Sequence, residues 1–386
     1  MELKQIKKFY FLIILCLVSC KKESNETAII DYINKTRNQY SYQLIDSTIS
    51  KNWKSYHIKM ISGEWLNKDY VDETEWWHYV DIIIPSEIIT DKGLLFIDGG
   101  TKKEDYFRLD SLAVKFAVDS KSIITNVSNI PFQPINFKES KQDEFLEDDL
   151  IAYAWNKFLT TGAKNDDLEW LPRFPMTRAV VRAMDLAEEI AIDQKINLNK
   201  FVISGASKRG WTSWITAAVD DRVISVIPIV IDMLNLLPSF ENHYRSYGEF
   251  SYAVKEYIDY NIHNWMFKDK FKTLMKYVEP YNYIDKYTIP KYIVNAGSDQ
   301  FFATDSWRYY YSELPGEKLL RYVPNANHSM NGRYLDKNLM AFYMRIIKNK
   351  KLPELDWKLT NDSIIVNVNS SEKYDVSLWT ANNSQG

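Results

Sequence analysis

One short segment combines a small hydroxyl residue with glycines where an apolar run gives way to helix-forming residues. The segment KFVISGASKRGWTSWITAAVDDRV begins at residue 200. It has Ser207 with Gly205 two positions before it and Gly210 three positions after it. A serine at a sharp strand-to-helix turn needs small neighbours, because larger ones collide with the turning backbone. The usual pattern has its second glycine where this chain has Arg209. The segment therefore predicts either a nucleophilic serine or an ordinary serine that caps a helix.

A nucleophilic serine needs a histidine base, and the base needs a carboxylate that orients it. In α/β-hydrolases these residues follow the order serine, acid, histidine. Of the five histidines, His328 is the one that follows the last short apolar run and precedes the final helical segment. Asp299 comes just after the apolar run KYIVN, within reach of such a base. We predict Ser207, Asp299 and His328 as the catalytic residues, with Asp232 and Asp305 as the alternative acids.

Acyl transfer also needs hydrogen-bond donors for the negatively charged oxygen that forms in the transition state. We predict that the N–H of Lys208 is one donor and that the loop with Gly100 and Thr101 supplies another. Arg209 and Trp211 are predicted to contact the substrate. We expect the side chain of Lys208 or of Arg209 to assist the oxyanion or to bind a substrate carboxylate. The alternative is that both cations point to solvent or bind the predicted helical insertion.

The elements that would hold these residues are apolar runs separated by helical stretches. Runs of this kind predict an α/β fold with a mostly parallel sheet covered by helices on both faces. Residues 233–286 interrupt the rhythm with Tyr, Phe, Asn and His, and predict a helical insertion over the site. We assign residues 51–350 to this α/β domain. Residues 351–386 alternate in polarity and predict the start of a small β module that the chain leaves incomplete.

Several individual segments carry predictions of their own. We expect residues 28–48 to be helical and residues 114–118 to form a strand or a linking segment. Residues 176–194 repeat apolar positions every three or four residues, which predicts a helix. The alternating residues 374–379 predict a further strand.

The N-terminus has the pattern of an export signal. Lysines precede the short apolar stretch of residues 9–18, and LVSC then resembles a bacterial lipobox that ends at Cys20. We predict a lipoprotein signal peptide over residues 1–20, lipidation of Cys20, and a tether with a helical segment over residues 21–50. The protein would then be an exported bacterial lipoprotein of the cell envelope, at the outer membrane or the cell surface. The alternative is an uncleaved signal anchor.

Composition limits the remaining function classes. The chain has 386 residues, 46% of them hydrophobic, which is enough for a large core. Its net charge of −3 argues against a nucleic-acid partner. Both cysteines lie within the first 20 residues, so we expect no disulfide framework and no cysteine-based metal site. We also expect no cofactor.

Three long blocks resemble the PhoPQ-activated pathogenicity-related protein family. The blocks are PMTRAVVRAMD (175–185), GASKRGWTSW (205–214) and the segment from YNYIDK to NANHS (281–329). The resemblance runs from about Trp53 to the C-terminus and implies an α/β-hydrolase fold with Ser207, Asp299 and His328 as the triad. The family includes exported bacterial proteins and secreted eukaryotic relatives linked to proliferation control. Its members usually continue through a β-rich tail, which suggests that this chain is truncated.

The local pattern G-x-S-[KR]-x-G is also similar to that of glucuronoyl esterases, in which the basic residue helps to hold the oxyanion. Two hypotheses follow. The first is a lipid-anchored serine hydrolase, an esterase or a peptidase, whose substrate is a small molecule, a carbohydrate ester or a peptide. The second is a binding or signalling protein on the same scaffold, with the tyrosine-rich insertion as its partner surface.

Overall fold

The computed structural model describes residues 25–104, 109–330, 333, 335–369 and 373–380. The predicted signal peptide, Cys20 and the first residues of the tether lie outside the described residues. None of the described helices combines the length and hydrophobicity that a bilayer crossing requires.

The described residues form one large sheet and one small one. The strands are β1 (Ser41–Ile49), β2 (Trp53–Glu64), β3 (Glu75–Pro85), β4 (Lys92–Ile97), β5 (Ile124–Val127), β6 (Lys200–Ala206), β7 (Val223–Ile229), β8 (Lys291–Ala296), β9 (Lys318–Val323), β10 (Glu354–Leu359) and β11 (Ile364–Asn369). The large sheet has the order β1-β2-β3-β5-β4-β6-β7-β8-β9. Its first three strands are antiparallel, and all pairs from β5 to β9 are parallel. This confirms the predicted mostly parallel sheet.

Helices cover both faces of this sheet. They are α1 (Asn25–Lys35), α2 (Ser111–Ser120), α3 (Glu147–Thr161), α4 (Arg173–Asp193), α5 (Lys208–Val219), α6 (Leu236–Tyr247), α7 (Lys255–Asp259), α8 (Asp269–Val278) and α9 (Asp336–Ile347). Successive strand residues point to opposite faces, so Leu95 and Ile203 belong to one apolar cluster, and Leu94 and Val202 to the other. Apolar runs are therefore continuous in the central strands because both of their faces are buried.

The interrupting segment is helical, as predicted. It contains α6, α7 and α8 with short 3-10 turns between them. In α8 the buried residues Phe271, Leu274, Met275 and Val278 recur at three- and four-residue steps, so one face packs inwards. The insertion lies against α3 and covers the carboxyl end of the central strands.

Two predictions about the first half of the chain are wrong. The helix predicted over residues 28–48 ends at Lys35, and residues 41–49 form the edge strand β1, which pairs with β2 and has a register shift between Leu44 and Asp46. Nearly all of β1 is exposed, so its sequence lacks the buried alternation that identifies a strand.

Residues 114–118 lie in α2 rather than in a strand. Asp110 caps this helix by accepting a hydrogen bond from the Leu112 N–H at 2.8 Å. Only one face of α2 is buried, and a short apolar run cannot distinguish that arrangement from a strand.

The C-terminal β module is a two-stranded antiparallel sheet of β10 and β11. The strand predicted over residues 374–379 is absent, because this stretch is exposed and finds no strand to pair with in the described part of the chain.

Candidate active site

Ser207 occupies a strained turn between β6 and α5. Its backbone angles are φ 57° and ψ −127°, a region that residues with a side chain rarely adopt. Such a conformation costs about 1–3 kcal/mol and persists only where the surroundings impose it. Here the Ser207 N–H donates to the Ile229 carbonyl at 2.8 Å, and the Ser207 carbonyl accepts from the Trp211 N–H at 3.0 Å. The strand and the helix therefore both hold the strained residue.

The two flanking glycines face each other across the turn. A side chain at Gly205 would place its Cβ 2.7 Å from the Arg209 backbone, and one at Gly210 would place its Cβ 2.8 Å from the Gly205 carbonyl oxygen. The close approach of β6 and α5 therefore needs glycine three residues after Ser207 rather than two. The side chain of Arg209 extends to Gly99, whose own Cβ would lie 2.8 Å from Nη2.

Ser207 is the end of a hydrogen-bonded chain of three side chains. Its Oγ lies 2.9 Å from His328 Nε2. His328 Nδ1 lies 3.0 Å from both carboxylate oxygens of Asp299. With the proton on Nδ1, the histidine donates to the carboxylate and Nε2 accepts from the serine hydroxyl. The sequence placed these three residues in separate loops, and the structure brings them together.

Two adjacent loops hold the histidine and the aspartate. The loops follow β8 and β9, and the Ser298 N–H donates across them to the Ala326 carbonyl at 2.8 Å. The Phe301 N–H donates to Asp299 Oδ1 at 2.8 Å, and the Phe301 ring lies 4.2 Å from the ring of His328. These contacts fix the carboxylate and leave the imidazole few orientations.

The two alternative acids lie elsewhere. Asp232 accepts hydrogen bonds from the hydroxyls of Tyr310, at 2.6 Å, and Tyr322. Burial raises the pKa of Asp232 to about 7. Asp305 accepts from Asn242 at 2.7 Å and pairs with a nearby arginine. Neither carboxylate contacts His328, so the geometry selects Asp299.

The predicted oxyanion donors lie beside the turn. The end of β4 pairs with the end of β6, opposite Gly205, which brings the loop after β4 next to Ser207. Gly100 has φ 107°, a backbone conformation that favours glycine. Among the described residues no acceptor is found for the N–H of Lys208, Gly100 or Thr101. All three assignments stay predictions.

A cavity lies beside Ser207, and together with its mouth, which is open to solvent, it takes up about 740 Å³. The insertion supplies most of its apolar wall, and α5 supplies Trp211. The lining residues are Asp148, Trp155, Arg173, Ser207, Lys208, Trp211, Ile231, Met233, Leu236, Phe240, Phe250, Val254, Tyr257, Ile258, Ile262, His263, Met266, Phe271, Phe301 and Phe302. Trp211 therefore lines the cavity, and its contact with the substrate stays a prediction.

The two basic residues after Ser207 are bound by carboxylates of α3. Lys208 Nζ lies 2.7 Å from Glu147 and 2.9 Å from Asp148. Arg209 donates to Glu147 at 2.7 Å and to the Ile130 carbonyl. Burial alone would raise the pKa of Glu147, but the two cations lower this pKa to about 2. Lys208 lines the cavity and Arg209 lies outside its lining, so the geometry favours a structural role for Arg209 over the predicted substrate contact.

Sequence reasoning missed Glu147, Asp148 and Arg173. The first two open α3 within an acidic run, which reads as an ordinary helix start. Of the other histidines, His57 pairs with Asp81. In the described ranges no group of three or more His, Cys, Asp or Glu side chains could hold a metal ion.

The chain matches one protein family and one relative over most of its length. Residues 29–386 match a family model described as PhoPQ-activated pathogenicity-related protein. Autocrine proliferation repressor protein A of Dictyostelium discoideum is 33% identical over 386 residues, which span 96% of this chain and 77% of that protein.

Two solved structures resemble the fold. Acetyl xylan esterase 1 from Thermoanaerobacterium sp. JW/SL YS485 has a TM-score of 0.59 at 12% identity, covering 83% of this chain and 93% of that one. An acetyl xylan esterase from Paenibacillus sp. R4 has a TM-score of 0.56 at 11% identity, covering 85% and 95%. At such identities the likeness concerns the fold, and it confirms the predicted α/β-hydrolase architecture.

Replacing Gly210 with alanine is expected to destabilise the protein. Glycine to alanine usually stabilises a helix by up to about 1 kcal/mol, but here the new methyl group meets the Gly205 carbonyl oxygen. Overpacking of this kind costs about 1–3 kcal/mol. Urea unfolding measures the difference. Ala217→Gly in the same helix is the control and should lose about 1 kcal/mol through helix propensity. A Gly210→Ala protein more stable than the parent would contradict the contact.

Asp232→Asn is expected to change how stability depends on pH. Because the folded state holds the Asp232 proton up to about pH 7, whereas an unfolded aspartate loses it near 4, the parent loses stability as the pH rises between these values. The loss from pH 5 to pH 8 should be about 2.5 kcal/mol smaller in the variant.

Urea unfolding at both pH values measures that difference. Burial also raises the pKa of Glu279 to about 7, which adds the same slope to both proteins and cancels in the comparison. Asp269→Asn, at a side chain that is 96% exposed, is the control and should keep the slope of the parent. Parallel pH profiles for the parent and Asp232→Asn would refute the assignment.

Proposed function

The chain belongs to the PhoPQ-activated pathogenicity-related protein family, and we propose that it is a serine hydrolase that acts through Ser207, His328 and Asp299. One observation carries the proposal. An unbroken chain of hydrogen bonds runs from the Asp299 carboxylate through His328 to a serine with strained backbone geometry. That serine lies on the wall of a mainly apolar cavity. Fold alone does not fix function, and the proposal rests on the site.

In the proposed mechanism each of these residues has its own role. His328 Nε2 takes the hydroxyl proton as Ser207 Oγ attacks the acyl carbon of the substrate. The N–H groups of Lys208 and of the loop with Gly100 hold the oxyanion that forms. His328 then gives its proton to the leaving group, which departs and leaves an acyl-enzyme. A water molecule, deprotonated by His328, releases the acid and restores Ser207. Asp299 keeps the proton on Nδ1 and stabilises the imidazolium.

The cavity favours a substrate with a largely apolar body. Trp155, Trp211 and the aromatic residues of the insertion bury apolar groups effectively. We place esters before peptides, because a mainly apolar cavity suits a compact acyl ester better than an extended polypeptide with its polar amide groups. Carbohydrate esters are esters too, and they remain among the substrates that we propose.

Fluorophosphonate labelling followed by peptide mass spectrometry tests the nucleophile. Such probes react with activated serines, so we expect one adduct on Ser207 in the purified protein, lost in Ser207→Ala and in His328→Ala. The hydrolysis rate of a reactive ester should fall by roughly 10⁴-fold or more in either variant. Ser213→Ala, on the same helix, is the matched control: its hydroxyl donates to the Arg209 carbonyl at 3.0 Å, so it should still label.

A folded protein that forms no Ser207 adduct would favour a binding function instead. Two observations favour that alternative. Tyr244, Tyr247, Tyr252 and Phe267 are exposed on the insertion, as aromatic residues at interfaces often are. The relative from Dictyostelium is named for the repression of proliferation rather than for hydrolysis.

We also propose that the protein is an exported lipoprotein anchored through Cys20. The support is the sequence pattern alone: lysines, a short apolar stretch, and a cysteine directly after LVS. Anchoring of this kind holds a protein at a membrane surface without a spanning helix.

Metabolic labelling with a radioactive fatty acid tests the anchor in a bacterial host. We expect label in the parent and none in Cys20→Ser, which should also leave the membrane fraction. Cys16→Ser is the matched control and should label fully. Equal labelling of the parent and Cys20→Ser would reject the anchor.

A further inference from the structure

Arg173 is a cation enclosed in the wall of the cavity. The residue is 3% exposed and lines the cavity together with Ser207 and Lys208. Its Nη1 donates to the Lys208 carbonyl at 2.6 Å and to the Thr212 hydroxyl at 2.5 Å. Both acceptors are neutral, so neither balances the charge. The bond to the Lys208 carbonyl also holds the guanidinium next to the nucleophile, because Lys208 directly follows Ser207.

Arg173 forms no ion pair within the part of the chain that the structure describes. Its Nε is buried without an acceptor, and its Nη2 donates to no described residue. An arginine at this depth is ordinarily paired with a carboxylate, because an uncompensated buried charge is costly. The side chain therefore has unpaired N–H donors in a buried position, where an unpaired donor costs free energy.

The nearby carboxylates are already engaged by other cations. Lys208 contacts both Glu147 and Asp148, and Arg209 contacts Glu147. Lys208 and Arg209 thus take up the charges of both carboxylates, and the positive charge of Arg173 is left in excess. Burial lowers the pKa of Arg173 to about 9, so the guanidinium stays protonated at neutral pH.

Among the described residues that line the cavity, Asp148 is the one acidic residue, and Lys208 already pairs with it. A neutral apolar ligand would displace water and leave the guanidinium with even fewer partners. A carboxylate would accept two parallel hydrogen bonds from an arginine and remove the charge imbalance. The Trp211 ring, whose centroid lies 4.9 Å from Arg173 Cζ, supports the plane of the guanidinium.

We propose that Arg173 binds an anionic group of the substrate, and that the substrate class is an ester whose apolar body carries a carboxylate. The inference rests on the proposed hydrolase function for the word substrate, but the anion site itself does not depend on turnover. Arg173 is thus a specificity residue next to Ser207, and Lys208, held by two carboxylates, is not the free cation of the site.

Ligand binding to the full-length Ser207→Ala protein tests the site without chemistry. The probes are monomethyl adipate and methyl hexanoate, which have the same six-carbon acyl chain and differ in one terminal carboxylate. Calorimetry should show about tenfold or greater preference for the monomethyl adipate, because a hydrogen bond to a charged partner is worth that much. Equal affinity for the two esters would overturn the proposal, and it would do so with Arg173 intact.

Arg173→Gln in the same background should abolish the preference, whereas Arg173→Lys should keep part of it. Arg178→Gln is the matched control. Arg178 is a fully buried arginine of the same helix whose Nη1 donates to the Glu64 carbonyl at 2.7 Å, and it lies outside the cavity lining. We expect that variant to keep the preference. Retention of the preference in Arg173→Gln would assign it to other residues and end the proposal.

Turnover by the protein with Ser207 intact separates the two proposals. Hydrolysis of mono-4-nitrophenyl adipate should exceed that of 4-nitrophenyl hexanoate in kcat/KM by about tenfold or more. Binding selectivity without hydrolysis of either ester would reject the hydrolase function and keep the anion site. Hydrolysis of both esters at equal rates, with equal binding, would keep the hydrolase and reject the anion site.

Discussion

The active geometry depends on one close backbone contact, between the Gly205 carbonyl at the end of β6 and Gly210 in α5. Because the helix lies this near to the strand, the chain must reverse direction within a single residue. Ser207 takes up that reversal as a strained conformation. The strain is offset by ordinary packing, since Trp214 and Ile215 of the same helix are fully buried. The position of the half-buried Ser207 hydroxyl at the turn is thus a product of the strand–helix packing.

Electrostatic contacts connect this turn to the helices that cover it. Glu147 and Asp148 of α3 hold Lys208 from one side, and Asp148 also accepts from the Tyr257 hydroxyl of α7 at 3.0 Å. One small network therefore joins the turn at Ser207, α3 and the insertion. Its carboxylates neutralise Lys208 and Arg209, which directly follow Ser207, whereas the charge of Arg173 faces the mainly apolar cavity.

Much of this arrangement could be predicted from the sequence because it depends on chain order and local composition. The order of Ser207, Asp299 and His328 along the chain, each after an apolar run, was enough to propose their contact. The partners of Lys208 and Arg209 could not be predicted, since they come from a helix sixty residues away whose acidic start looks ordinary. Likewise, β1 was missed because an exposed edge strand has no buried face to impose a pattern, and α2 was missed because a short amphipathic helix and a short strand share a composition.

The shifted register in β1 has a consequence for how copies of this protein behave in concentrated solution. In the described residues β1 pairs on one side only, and Leu44, Ile45 and Ile49 are exposed on it. A long, flat and apolar strand edge recruits other chains and seeds aggregates. The irregularity between Leu44 and Asp46 interrupts the regular spacing of amide and carbonyl groups, and Asp46 adds a charge at that point. A strand from another copy could form hydrogen bonds with only a few residues of β1 before the pairing is interrupted. The irregularity therefore opposes aggregation through this edge.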